Sequence, residues 1–93
     1  MKANGNFILR QVADEFLLIP VGETALRIKG MLSLSESGSL LYKRLQTECT
    51  REDLIRTLLA DYDVDEETAG ADVDEFLASM HRLGMLEEAS LDG

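Results

Sequence analysis

The spacing of apolar residues changes at Ser35 from two to three and four, and that change constrains the fold more than any other feature. Ahead of it, Phe7-Ile8-Leu9-Arg10-Gln11-Val12 is a short apolar run with β-branched residues at two positions. Glu15-Phe16-Leu17-Leu18-Ile19-Pro20-Val21 is a second, and Ala13-Asp14-Glu15 reads as the turn between them. The pair predicts a β-hairpin. Pro20 has no N–H to give a ladder, so it belongs near a strand end or at an edge. Gly22-Glu23 offers another turn. Leu26, Ile28, Leu32 and Leu34 then alternate with Arg27, Lys29, Met31 and Ser33, which predicts a third strand, half-buried and bent at Gly30, with its main part at Gly30–Leu34.

Beyond the change, helix signals follow one another. Ser35 can cap a helix whose first turn holds Glu36 and whose stripe holds Leu40, Leu41 and Leu45. Thr50-Arg51-Glu52-Asp53 resembles a capping box, with Asp in place of Glu or Gln, and opens a helix carrying Leu54, Ile55, Leu58, Leu59 and Tyr62. Asp65 can cap a third helix, striped by Ala69, Val73, Phe76, Leu77, Met80 and Leu83, and Gly84 stands where a helix-ending glycine should. Three strands followed by three helices predict an α+β domain, helices covering one face of a small antiparallel sheet. A chain of 93 residues supports one such domain, residues 1–93, with an ordered core at about 7–87 and frayed ends at 1–6 and 88–93.

Charge narrows the partners. The net charge is −9, but residues 1–47 carry +2 and residues 48–93 carry −11. So acidic a surface is repelled by phosphate, which sets nucleic acid and anionic membranes aside. No apolar run approaches the roughly 20 residues of a membrane span. The polar start, Met1-Lys2-Ala3-Asn4-Gly5-Asn6, is not a signal peptide, and the single Cys49 makes no internal disulfide. The expected compartment is the cytoplasm.

Catalytic chemistry has little to stand on. With one His, one Cys and no Trp, a nucleophilic triad would need His81 or Cys49 as a member, with further members that the sequence does not pick out. Nucleotide-binding and zinc motifs are absent from the sequence. Asp61, Asp63 and Asp65 begin like a calcium loop, but Glu66 stands where the turn needs glycine and Asp72 where a bidentate Glu belongs. Turn and helix cap explain them better. His81, near a helix end, suits the helix dipole, and Cys49 reads as an idle thiol in a polar loop. Neither a catalytic residue, a metal nor a cofactor is expected. The acidic outer face of the third helix, Glu66, Glu67, Asp72, Asp74 and Glu75, reads first as a solvated face and second as a steering surface for a basic partner.

The order of elements, with the stretches Phe7–Arg10, Leu18–Gly22, Gly30–Gly38, Asp61–Glu67, Asp72–Leu77 and Leu83–Leu86, resembles the PqqD-like family, small recognition elements for ribosomally made, post-translationally modified peptides. The resemblance spans about residues 7–87; the ordered set carries it rather than any one stretch. Ser35 and Tyr42 stand where the family often has Asn and Trp or Phe, and both keep the local role of cap and apolar anchor. The resemblance implies a winged-helix-like fold without DNA binding. It also implies that a precursor's leader peptide adds as a strand to the open edge of the third strand. The leader's side chains would enter a groove between that strand and the third helix. The domain would then present the precursor to a modifying enzyme, a radical S-adenosylmethionine maturase or a leader peptidase, and perform no chemistry itself.

The implied contact residues are Gly30, Met31, Leu32, Ser33 and Leu34 on the strand, and Asp72, Val73, Phe76, Leu77, Met80 and Leu83 on the helix. Strand addition needs such a groove. Each backbone hydrogen bond nets about 1 kcal/mol, whereas ordering a peptide residue costs roughly 1–2 kcal/mol. Apolar anchors at about 1.5–3 kcal/mol each must supply the rest. Phe76, Leu77 and Met80 would also stripe any core helix. Leu32 and Leu34 share the inward face, so Met31 and Ser33 are the better contact candidates. The competing reading is a winged-helix regulator of nucleic acid, for which only Arg51, Arg56 and Arg82 are available on the last two helices.

Overall fold

The alternating runs at the start of the chain form the predicted hairpin. Strand β2 (Phe7–Val12) pairs antiparallel with β3 (Glu15–Pro20) from Phe7↔Pro20 to Val12↔Glu15. The two-residue loop places Ala13 at φ +56, and Pro20 closes the ladder at its end. The computed structural model describes residues 1–87, so the expected fraying of 88–93 lies outside the described residues.

The alternation from Leu26 to Leu34 does not become one strand. Thr24–Arg27 form a single helical turn, α1, and only Leu32–Leu34 are extended as β4. Gly30, at φ +95, breaks the extended backbone, and the chain between Pro20 and Leu32 is spent on the reversal that sets Leu32 opposite Leu18. Leu26, expected on the buried face, is 78% exposed. The sheet runs β2–β3–β4, with β4 an edge.

The helices start where their caps stand. Ser35 Oγ accepts the Gly38 N–H at 3.0 Å and opens α2 (Glu36–Arg44). Thr50 and Asp53 exchange both bonds of a capping box at the head of α3 (Arg51–Asp61). Asp65 accepts the Thr68 N–H at 2.7 Å ahead of α4 (Glu66–Arg82). At the far end of α4 the Gly84 N–H donates to the His81 carbonyl and the Met85 N–H to the Met80 carbonyl, both at 3.0 Å, with Gly84 at φ +67. This is a Schellman ending, and it returns Met85 to the core.

Leu18 of the sheet, Leu41 of α2 and Leu45 at its C-terminal cap, Leu54 and Leu58 of α3, and Val73 and Met80 of α4 are buried together with Met85. Tyr42, buried beside them, donates its hydroxyl to the Phe7 carbonyl at 3.0 Å and ties α2 to β2. Burial pushes its phenol above the usual range, so it stays neutral.

The first residues correct the expectation of a frayed start. Lys2–Ala3 form β1, paired antiparallel with β5 (Leu86–Glu87). The Ala3 N–H donates to Leu45 at 2.8 Å, the Cys49 N–H to Met1 at 2.9 Å, and the Ala3 side chain is buried. Lys2 faces Glu87 across the ribbon, a favourable opposite-charge pair. Cys49 lies in the loop between α2 and α3, as read, but its side chain is buried in the core, and desolvation pushes its pKa up.

Candidate functional site

A cleft of about 590 Å³ opens between the edge strand β4 and helix α4. Its floor is Leu18, Leu41 and Met80, all buried. Leu32 and Leu34, half-buried, form the strand wall; Phe76 and Leu83, half-buried, form the helix wall. Asp72, Phe76, Ser79 and Leu83 recur every three or four residues, so α4 turns one stripe toward the cleft. The head of α2 closes the remaining side with Ser35, Ser37 and Gly38.

Charge is unevenly placed on the helix rim. Asp72 and Glu75 lie near the middle of α4, and Arg82 lies at its end, where it donates to Ser79 Oγ at 3.2 Å. The sense of the two walls follows from contacts at either end. Asn4, ahead of the Phe7–Pro20 end of the hairpin, donates its side-chain N–H to the Gly84 carbonyl at 2.8 Å. At the other end Tyr62, which ends α3 just ahead of α4, donates its hydroxyl to Glu36, just after β4. Strand β4 and helix α4 therefore run in opposite senses along the cleft.

The cleft brings together Leu32, Ser33, Leu34, Asp72, Phe76, Met80 and Leu83 of the predicted set. It does not include Gly30, Met31, Val73 or Leu77. Gly30 and Met31 precede β4, and Met31 is 59% exposed outside the cleft. Val73 is wholly buried in the core, and Leu77 packs half-buried against it. Leu32 and Leu34 do face inward, but the inward face at this edge is also the cleft wall. Sequence reasoning missed Leu18 and Leu41 of the floor and the head of α2, read Glu75 only as part of the acidic outer face, and missed Ser79 and Arg82. The stripe 72–76–79–83 itself carries the signal for Ser79, and Arg82 lies three residues beyond Ser79 on the same side.

The opposite side of α4 meets α3. Arg51 grips Asp74 with two hydrogen bonds, 2.7 and 3.0 Å, and the guanidinium holds that carboxyl below its usual range. Gly70 permits the approach: a Cβ there would lie 3.2 Å from Arg51 Nη2. Arg56 pairs with Asp53. Two of the three cations that a nucleic-acid reading requires are thus engaged by carboxylates. Asp65 serves as a helix cap, and among the described residues no group of three or more His, Cys, Asp or Glu is arranged to hold a metal ion. None of the described helices is long and apolar enough to cross a membrane.

Two solved structures share the fold. One, described as TbiB1 in complex with the TbiA(beta) leader peptide, superposes at a TM-score of 0.74 with 22% identity, covering 97% of this chain and 99% of that one. The other, a lasso peptide synthetase B1 complexed with the leader peptide, gives a TM-score of 0.71 with 17% identity over 94% of this chain and 96% of its own. No curated protein sequence matches the chain. Residues 15–86 match the family described as coenzyme PQQ synthesis protein D (PqqD), and the chain belongs to that family of peptide-recognition elements.

Proposed function

We propose that this protein is a leader-peptide adaptor. It binds the leader of a ribosomally made precursor as an added strand on β4 and presents the precursor to a modifying enzyme, without chemistry of its own. One observation carries the reading: a cleft with an apolar floor and a polar rim lies directly along an edge strand, so one extended segment can pair its backbone with β4 and set alternate side chains against Leu32, Leu34, Phe76 and Leu83. Two or three such anchors, beyond the cost of ordering the peptide, bring binding to the micromolar range, about −8 kcal/mol. Family membership and the leader-bound state of both structural relatives support it. The enzyme served is a radical S-adenosylmethionine maturase or, as the lasso-peptide relatives favour, a leader peptidase. The lone buried thiol fits work in the cytoplasm.

The test is a chemical-shift titration of labelled protein with the leader of the precursor peptide encoded beside its gene. Shifts concentrated on Leu32–Leu34 and Asp72–Leu83 are expected. Saturable shifts confined to other surfaces, or none at all, overturn the reading.

A further inference from the structure

The charges at the two ends of the cleft add a recognition rule to the adaptor reading, on which this inference rests. Along the helix wall Asp72 comes first, Glu75 and Phe76 stand nearly level about one turn on, and Arg82 comes last. All three charged side chains are exposed, so none is committed to the core. Asp72 and Arg82 are ten residues apart on one helix, about 15 Å along its axis. An extended peptide covers that length in four to five residues, at about 3.3 Å each. Residues i, i+2 and i+4 of a strand face the same way. The cleft therefore matches three alternate side chains: one over the acidic end, one over Phe76, one over Arg82.

We propose that the cleft selects leader segments of the form basic–x–apolar–x–acidic, read from N- to C-terminus. The order follows from direction. Antiparallel addition continues the β2–β3–β4 meander and is the commoner pairing. A peptide antiparallel to β4 runs in the same sense as α4, and so passes Asp72 and Glu75 before Arg82. Exposed charges of this kind add little affinity and much selection of register and partner.

The test pans a phage-displayed random dodecapeptide library against the immobilised full chain, then against the Asp72→Lys/Glu75→Lys double variant and Arg82→Gln, each checked for an unchanged circular-dichroism spectrum. The wild-type protein is expected to enrich basic–x–apolar–x–acidic peptides. The double variant should lose only the basic preference and Arg82→Gln only the acidic one. In a synthetic peptide from the wild-type pool, alanine at either charge should weaken binding about two- to fivefold at low salt, with the difference vanishing at high salt. Enriched peptides that share an apolar anchor but no charges at these spacings overturn the rule and leave the adaptor intact. The reverse charge order overturns the antiparallel direction. A library that yields no binder overturns the rule, while the adaptor reading stands or falls on the titration with the encoded leader.

Discussion

Ser35 Oγ accepts the Gly38 N–H at 3.0 Å, and a Cβ placed on Gly38 would stand 3.2 Å from that same oxygen. The cap and the glycine are one device. Alanine in place of a helical glycine gains up to about 1 kcal/mol in intrinsic propensity, but here the new methyl presses on the oxygen that caps the helix. Ser35→Ala alone should cost about 1 kcal/mol. Gly38→Ala should be near neutral in the wild-type chain and stabilising by about 0.5–1 kcal/mol once Ser35 is alanine. Urea unfolding of the four proteins reads the coupling; equal effects of Gly38→Ala in both backgrounds would show that the two residues act independently.

Met80 and Phe76 lie on the same helical stripe but differ in what they hold up. Met80 is 2% exposed and belongs to the floor, so Met80→Ala should cost about 2–4 kcal/mol of stability by leaving a cavity. Phe76, half-buried on the wall, should lose less stability and more leader affinity when truncated. Denaturant unfolding and a binding titration on both variants separate the roles, and equal stability losses with unchanged affinity for Phe76→Ala would place Phe76 in the core alone.

Local signals carried the fold as far as they reached. The hairpin, the three caps at Ser35, Thr50 and Asp65, and the glycine ending at Gly84 were legible because each depends on a few neighbouring residues. What failed was long-range. Pairing Leu18 with Leu32 turns the alternation around Leu26 into a connection, and pairing Ala3 with Leu86 orders an N-terminus with no local reason to be ordered. The cleft was half legible for the same reason. The helix stripe named Asp72, Phe76, Met80 and Leu83, whereas the strand's depth decided that Leu32 and Leu34 form a wall and that Met31 stands outside.

Ala13 has φ +56 at the first position of the two-residue hairpin loop. This left-handed region costs a residue with a Cβ about 1–2 kcal/mol, and two-residue hairpin turns favour glycine or asparagine there. The side chain is exposed, so its loss removes no core contact. Ala13→Gly should therefore raise stability by about 0.5–1 kcal/mol, the relief exceeding glycine's extra unfolded-state entropy. A thermal or urea midpoint that falls would mean the entropy term wins at this turn.

Three carboxyls are held below their ordinary range in the folded chain. Asp53 is lowered first by the Thr50 N–H, Asp65 by the Thr68 N–H, and Asp74 by the Arg51 guanidinium. A lowered folded pKa means the unfolded chain binds protons first, so these groups stabilise the fold above about pH 4, the ordinary carboxyl value, and lose that contribution as pH falls through their folded values. The net charge of −9 works the other way, since protonating other carboxyls relieves repulsion as the solution is acidified. Single substitutions separate the two. Asparagine caps a helix about as well as aspartate but does not titrate, so Asp65→Asn should match the parent near neutrality and lose stability less steeply between about pH 4.5 and 2.5. Unfolding free energies measured across that window give the slope directly; parallel curves would mean that the Asp65 cap plays no part in acid unfolding.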